Sequence, residues 1–218
     1  MDGMVSRFMV QTNYNRLSRY YDFFSQGSER KFINLGLKEL APQPGENILE
    51  IGYGTGYGLI SIAKMISPSG CIVGIDLSSG MANIAKEKIV KSGTNARVFI
   101  NIGDATHLPH ISGYFDAIFM SFTLELFTES DIPRVLQECV RVLRDNGRLG
   151  IISMHQTKTM TLSVQIYEWL RRKLPNLIDC RPIPLETYLD RNGFNVSKIA
   201  VKSMWGLPVS IAVAHKCN

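Results

Sequence analysis

The chain has little cysteine: four in 218 residues, at Cys71, Cys139, Cys180 and Cys217, with no C-x-x-C pair among them. Thiols so widely spaced have neither the ligand spacing of a zinc site nor the density of a disulfide framework, and they fit a reducing compartment. No uninterrupted apolar run approaches the roughly 18 residues that a membrane-spanning helix needs. The first residues, Met-Asp-Gly-Met-Val-Ser-Arg, lack the basic-then-apolar pattern of a secretory signal, so the expected location is cytoplasmic. The net charge of +5 is spread along the chain. No dense Lys/Arg block with interleaved aromatics is there to hold nucleic acid, and the diffuse charge suits an anionic small molecule or an anionic membrane surface. Internal repeats, low-complexity tracts and linkers are also missing, so a single domain over residues 1–218 is expected.

What is present is an ordinary globular balance, 45% hydrophobic and 20% charged, in a chain long enough to bury a full core. One stretch organises the rest: Ile48-Leu49-Glu50-Ile51-Gly52-Tyr53-Gly54-Thr55-Gly56-Tyr57-Gly58. Ile48, Leu49 and Ile51 predict the end of a buried strand, with Glu50 as an unusual acid inside it. Four alternate glycines follow, then a helical pattern of Leu59, Ile60, Ile62, Ala63 and Ile66. Strand, glycine turn and helix start together make a cradle of main-chain N–H groups. The G-x-G-x-x-G spacing of a dinucleotide-binding turn fails, because its third glycine would fall at Tyr57 or Leu59.

Around this stretch, strands and helices alternate. A helix is expected over 28–40, ended by Ala-Pro-Gln-Pro-Gly. Cys71–Asp76, Arg97–Ile102, Phe115–Ser121 and 149–154 read as further strands. Helices are expected after a Ser78 or Ser79 cap, over 131–143, over 161–174 and over 185–192, with Asp145-Asn146-Gly147 as a turn. Strands at 196–202 and 209–215 are too close together for a crossover helix and predict an antiparallel hairpin. The expectation is therefore a Rossmann-like α/β fold: an open, mostly parallel seven-stranded sheet, a C-terminal antiparallel hairpin and an N-terminal helical cap within residues 1–40.

In such sheets ligands bind beyond the carboxyl ends of the strands. Asp76 closes the second strand and is placed to accept the two hydroxyls of a ribose; capping the next helix is its plainer use. Gly103-Asp104-Ala105 closes the third strand, where Asp104 can accept from an exocyclic amine or simply shape a turn.

The pattern Glu50-x-Gly52-x-Gly54-x-Gly56, Gly74-Ile75-Asp76-Leu77-Ser78, Gly103-Asp104-Ala105, Phe115-Asp116-Ala117 and Arg141-Val142-Leu143-x-x-x-Gly147 resembles the class I S-adenosylmethionine-dependent methyltransferases. Tyr20-Tyr21-Asp22, Met120-Ser121-Phe122-Thr123 and Cys180-Arg181-Pro182-Ile183 make it similar, more narrowly, to the ubiquinone/menaquinone C-methyltransferases. The resemblance implies S-adenosylmethionine as methyl donor. Its contacts would be Glu50, Gly52, Tyr53, Gly54, Gly56, Asp76, Leu77, Gly103, Asp104 and Ala105, with Ser121 and Phe122 near the methyl group. Glu50 would face the donor's cationic groups or accept backbone N–H bonds to shape the turn. Tyrosines at 53 and 57 depart from the commoner small residues. Tyr14, Tyr20 and Tyr21 would belong to a cap over the donor, within reach of its sulfonium by cation–π contact.

Methyl transfer is an in-line displacement, and holding the reactants in line contributes on the order of 7–11 kcal/mol. A ring carbon beside a phenol reacts best once the phenol is ionised, which calls for a base or a cation. The candidates are His155, Glu125 and Arg181, the last together with Asp179; His107, His110 and His215 read as structural. The expected acceptor is a small molecule, a quinone-type or related prenylated ring. An N-, O- or lipid-directed methyltransferase and a non-catalytic donor-binding sensor or partner subunit are the alternatives. No metal is expected. The Tyr167–Leu174 stretch mixes aromatics with cations and leaves a peripheral membrane contact open beside a solvated helix face; a homodimer is left open as well.

Overall fold

The computed structural model describes residues 26–157 and 181–217. Helix α1 (Gln26–Leu40) leads into strand β1 (Asn47–Ile51), then α2 (Tyr57–Ile66), β2 (Cys71–Asp76), α3 (Ser79–Ser92), β3 (Arg97–Ile102) and β4 (Phe115–Ser121). A single 3-10 turn (Leu124–Leu126) precedes α4 (Ile132–Val142) and β5 (Leu143–Met154). Helix α5 (Leu185–Arg191) and strands β6 (Phe194–Met204) and β7 (Leu207–Lys216) follow. The strands form one sheet in the order β3-β2-β1-β4-β5-β7-β6. All pairs are parallel except β5·β7 and β7·β6. The expected Rossmann-like α/β sheet with its antiparallel hairpin is the observed one.

The central strands are buried on both faces, which is why β1, β2 and β4 read as nearly continuous apolar runs. On one face Ile48, Ile72, Ala117, Phe119, Ile152 and Ile211 pack under α1, α2 and α3. On the other, Leu49, Ile51, Ile75, Ile118, Met120 and Ile151 pack under α4 and α5. Helix α4 buries Ile132, Val135, Leu136, Cys139 and Val142 along one stripe and carries Pro133 in its first turn, where no intrahelical N–H is lost. Ser78 is the residue that caps α3, accepting the Met81 N–H at 3.2 Å. Helix α1 lies close on the sheet because Gly36 has no Cβ: one built there would stand 2.7 Å from Ile152 Cδ1.

The fifth strand and the hairpin strands run longer than expected. The fifth strand begins at Leu143, six residues early, and the Asp-Asn-Gly turn survives inside it as a bulge. The pairing jumps from Phe115↔Leu143 to Ala117↔Arg148, and Asn146 sits at φ 61°. The turn chemistry was legible; pairing on both sides of it was not. In the hairpin only Trp205 and Gly206 are left as loop, both at positive φ, as a two-residue primed turn requires. The helix expected over 161–174, and Tyr14, Tyr20 and Tyr21, lie outside the described residues. Among the described residues no helix is long and apolar enough to cross a membrane, and no group of three or more His, Cys, Asp or Glu is placed to hold a metal ion.

β1 pairs with both β2 and β4, so strand order reverses beside it and a crevice opens at the carboxyl ends. At the opposite edge one guanidinium pins the entry to β1. Arg148 donates to Leu40 O at 2.7 Å, Ala41 O at 2.9 Å and both Glu46 carboxylate oxygens at 2.8 Å. Burial raises the Glu46 pKa, but the Arg148 and Gln43 bonds outweigh it and hold the carboxyl below its ordinary value. A depressed carboxyl adds stability above its unfolded pKa of about 4.3 and loses it as pH falls through the folded value. We expect Arg148→Met to cost about 1.5–3 kcal/mol in urea unfolding at neutral pH. The gap to wild type should narrow below about pH 4, as Glu46 is protonated in both proteins.

Candidate active site

The turn between β1 and α2 is built from main chain. Gly52 N–H donates to Ile75 O at 2.8 Å as the strand ends, and Gly56 N–H closes the turn onto Tyr53 O at 2.9 Å. Gly52, Gly54 and Gly56 stand at φ +74°, +50° and +85°, in the left-handed region. A Cβ at Gly52 would run into the Thr123 side chain, and one at Gly56 would lie 3.0 Å from Ala85 Cβ on α3. At Gly54 it would meet nothing, so this is the open side of the cradle. Gly58 has a different reason: its Cβ would occupy the place of the Glu50 carboxyl.

Glu50 therefore points from β1 to the first turn of α2. It is buried, and its Oε2 has no hydrogen-bond partner among the described residues. Burial, reinforced by the Asp76 charge, pushes its pKa well above the ordinary carboxyl range. Asp76, at the end of β2, accepts Gly54 N–H at 2.9 Å on one oxygen and Ser78 N–H at 2.9 Å on the other; Leu77 N–H also bonds it. Burial raises its pKa, and these three N–H bonds oppose the rise. Each oxygen retains acceptor capacity. Gly103 N–H bonds Asp76 O at 3.0 Å, which brings the Gly103-Asp104-Ala105 turn against the end of β2. There Asp104 Oδ1 accepts Thr106 N–H at 2.9 Å, and Ala105 is buried in the core.

The other side of the crevice is the exit from β4. Ser121 Oγ is buried without a partner among the described residues. Phe122 takes φ 50°, its N–H donates to Ile152 O at 2.8 Å, and its ring meets Phe32 of α1 edge-on at 6.4 Å. The three catalytic candidates sit on segments that meet here. Glu125 is buried, not solvated, and its Oε1 accepts Met154 N–H at 3.0 Å, bracing the 3-10 turn to the end of β5. His155 follows β5, with Nδ1 2.9 Å from Ser210 Oγ on β7. Arg181 donates to Phe127 O at 2.7 Å and pairs with Glu129 at 3.3 Å, so it flanks the same loop.

Tyr53 was expected among the donor contacts, but its side chain belongs to the core. The ring crosses the position where Gly74 lacks a Cβ, and the hydroxyl donates to Asn101 O at 3.3 Å. Only the main chain of Tyr53 belongs to the turn. Several motif residues also hold the fold together. Asp116 Oδ2 accepts Asn47 N–H at 2.7 Å and pairs with Arg144. Arg141 binds Glu138 and the carbonyls of Leu108 and His110. Sequence reasoning missed Thr123, which fills the space beside Gly52, and Ser210; a polar residue inside an apolar strand was the available signal for the latter. It also missed Arg30, which lies 5.0 Å over the Tyr57 ring, and Asn34, whose Oδ1 accepts the Tyr57 hydroxyl at 3.1 Å. Together these dock α1 beside the cradle.

The glycine turn with its open face, the buried acid behind it and the acids on the next two strand ends all lie within residues 48–147, which match the methyltransferase domain family. That match spans just under half of the chain, and a domain of that family in this fold implies S-adenosylmethionine as cosubstrate. It is similar to a demethylmenaquinone methyltransferase of Lactobacillus johnsonii, 31% identical over 151 residues, which cover 67% of this chain and 61% of the relative. It is also similar to a ubiquinone/menaquinone biosynthesis C-methyltransferase of Geotalea uraniireducens, 28% identical, covering 73% and 68%. The crystal structure of a SAM-dependent methyltransferase from Aquifex aeolicus shares the fold at TM-score 0.70 and 22% identity, covering 93% of this chain and 98% of that one. The chain thus aligns with less than two thirds of the length of the first of these relatives.

A raised carboxyl such as Glu50 contributes stability that is complete below its unfolded pKa of about 4.3 and is lost as pH rises toward the folded value. We expect Glu50→Gln, which keeps the shape and removes the ionisation, to be more stable than donor-free wild type at neutral pH. The pH dependence of the unfolding midpoint should be flatter in the variant. A neutral-pH midpoint below that of wild type would show that the carboxylate is stabilised in place.

Proposed function

We propose that the protein transfers a methyl group from S-adenosylmethionine to a ring carbon of a quinone-type, prenylated small molecule. The observation that carries the donor side is the open face at Gly54, bordered by Glu50 and Asp76. The activities named for the two relatives support the acceptor class.

In this reading the main chain of Gly52, Tyr53, Gly54 and Gly56 cradles the donor's amino-acid tail. A bound cationic donor favours the ionised form of Glu50, and that attraction offsets the cost of burying the charge. Asp76 uses its remaining lone pairs for the ribose hydroxyls while holding Gly54 in place. Leu77, Gly103, Asp104 and Ala105 border the adenine, and Ser121 and Phe122 lie beside the reacting centre. When bound, the donor supplies a methyl group made electrophilic by a positively charged sulfur. Glu125, His155 and Arg181 form the acceptor side, where the Arg181 cation favours an ionised phenol over a neutral one.

Asp76→Ala should weaken binding of S-adenosylhomocysteine by about 1.5–3 kcal/mol, roughly ten- to hundred-fold in Kd, measured by calorimetry. Unchanged affinity would remove Asp76 from the site. For the acceptor, purified protein is incubated with isotopically labelled donor and a quinol-containing lipid extract. The expected product is a labelled quinol one CH2 unit heavier; label appearing only in polar metabolites would contradict the acceptor class.

A further inference from the structure

The apolar sheet face under α4 and α5 ends in an unusual polar group. Ser153 on β5 and Ser210 on β7 are directly opposite each other. Both are fully buried, in line with Leu149, Ile151, Ala212 and Ala214. Ser153 Oγ has no hydrogen-bond partner among the described residues. A buried hydroxyl left that way costs about 1–3 kcal/mol, so two serines where alanine or valine would pack call for a reason.

His155 stands two residues past Ser153, and its ring supplies the reason for one of them. Ser210 Oγ lies 2.9 Å from His155 Nδ1, the single partner of that hydroxyl among the described residues. A serine hydroxyl has one proton to donate, and in a neutral imidazole one nitrogen donates while the other accepts. Were Nδ1 protonated, it would donate to Ser210 Oγ, and the serine proton would face the apolar core with no acceptor. With Nδ1 as acceptor, both groups are satisfied. The backbone holds the ring in place: His155 N–H donates to Pro208 O at 2.9 Å, and Ile183 N–H to Met154 O at 3.2 Å.

We infer that Ser210 is a positioning residue that donates to His155 Nδ1 and fixes the neutral ring in the Nε2–H tautomer. The bond made by one ring nitrogen decides what the other does. Nε2 has no partner among the described residues, and His155 itself follows directly on the carboxyl end of β5. A ring held this way donates to an anionic oxygen and cannot take a proton from it, since Nδ1 is occupied and Nε2 already carries its proton. On the methyl-transfer reading, on which this consequence rests, His155 steadies an acceptor oxygenate and is not the base that the sequence suggests.

The test is a long-range 1H–15N correlation on protein labelled at histidine nitrogens, recorded at about pH 9, above the ordinary histidine range. Loss of one spectrum in His155→Gln assigns the ring among the four histidines. The expected result is a protonated Nε2 and an unprotonated, hydrogen-bonded Nδ1, whose resonance moves toward the unbonded value in Ser210→Ala. A proton on Nδ1 in the wild type, or an Nδ1 resonance indifferent to Ser210→Ala, overturns the inference. If that variant does not fold, the wild-type tautomer alone decides. No acceptor is needed, so the outcome is independent of whether methyl transfer is found.

Discussion

The carboxylate of Asp76 holds two strands' worth of machinery in register. One oxygen takes the N–H of Gly54 and the other the N–H of Ser78. The first bond fixes the open point of the glycine turn, and the second fixes the start of α3, whose Ala85 closes against Gly56. Without that acid the turn would have to find partners for its donors in water, and its left-handed residues would lose the contact that offsets their conformational cost. Glu50 depends on the same arrangement, because its raised pKa comes from burial first and from the Asp76 charge second. Of the two acids, Asp76 is solvated by main chain, while Glu50 is left without such partners and is held toward its neutral form.

The crevice has a second wall of different character. Its members come from the exit of β4, the end of β5 and the segment entering α5, and hydrogen bonds tie them to neighbouring elements. Glu125 bonds the end of β5, Arg181 bonds the loop after β4, and His155 bonds β7. Groups immobilised by such bonds can orient an acceptor without reorganising when it arrives, which is where much of the rate of a two-substrate displacement is gained. Helix α1 bridges the walls by setting Phe32 against Phe122 and Arg30 over Tyr57.

Much of this was legible in the residues, for physical reasons. Central parallel strands are buried on both faces, so Cys71–Asp76 and Phe115–Ser121 appear as short apolar runs and were bounded correctly; the exposed edge strand Arg97–Ile102 was bounded correctly too. The alternate glycines marked a turn, but the four have separate causes, and that of Gly58, room for Glu50, needs the helix to be in place. The inward turn of Tyr53 was hidden because its partner in space, Gly74, lies on another strand. The burial of Glu125 was hidden because a 3-10 turn after a strand looks like a solvated loop. Ser210 was invisible as a partner of His155 because 55 residues separate them and only the antiparallel pairing of β5 with β7 joins them.

The central claim is that bare main chain around Gly54 holds the donor's amino-acid tail while acids on the adjacent strands hold its nucleoside. A crystal structure with S-adenosylhomocysteine tests it most directly. The account requires ligand density over the open face at Gly54, with the ribose hydroxyls on Asp76. Density elsewhere, with that face covered by a side chain of the protein itself, would contradict it.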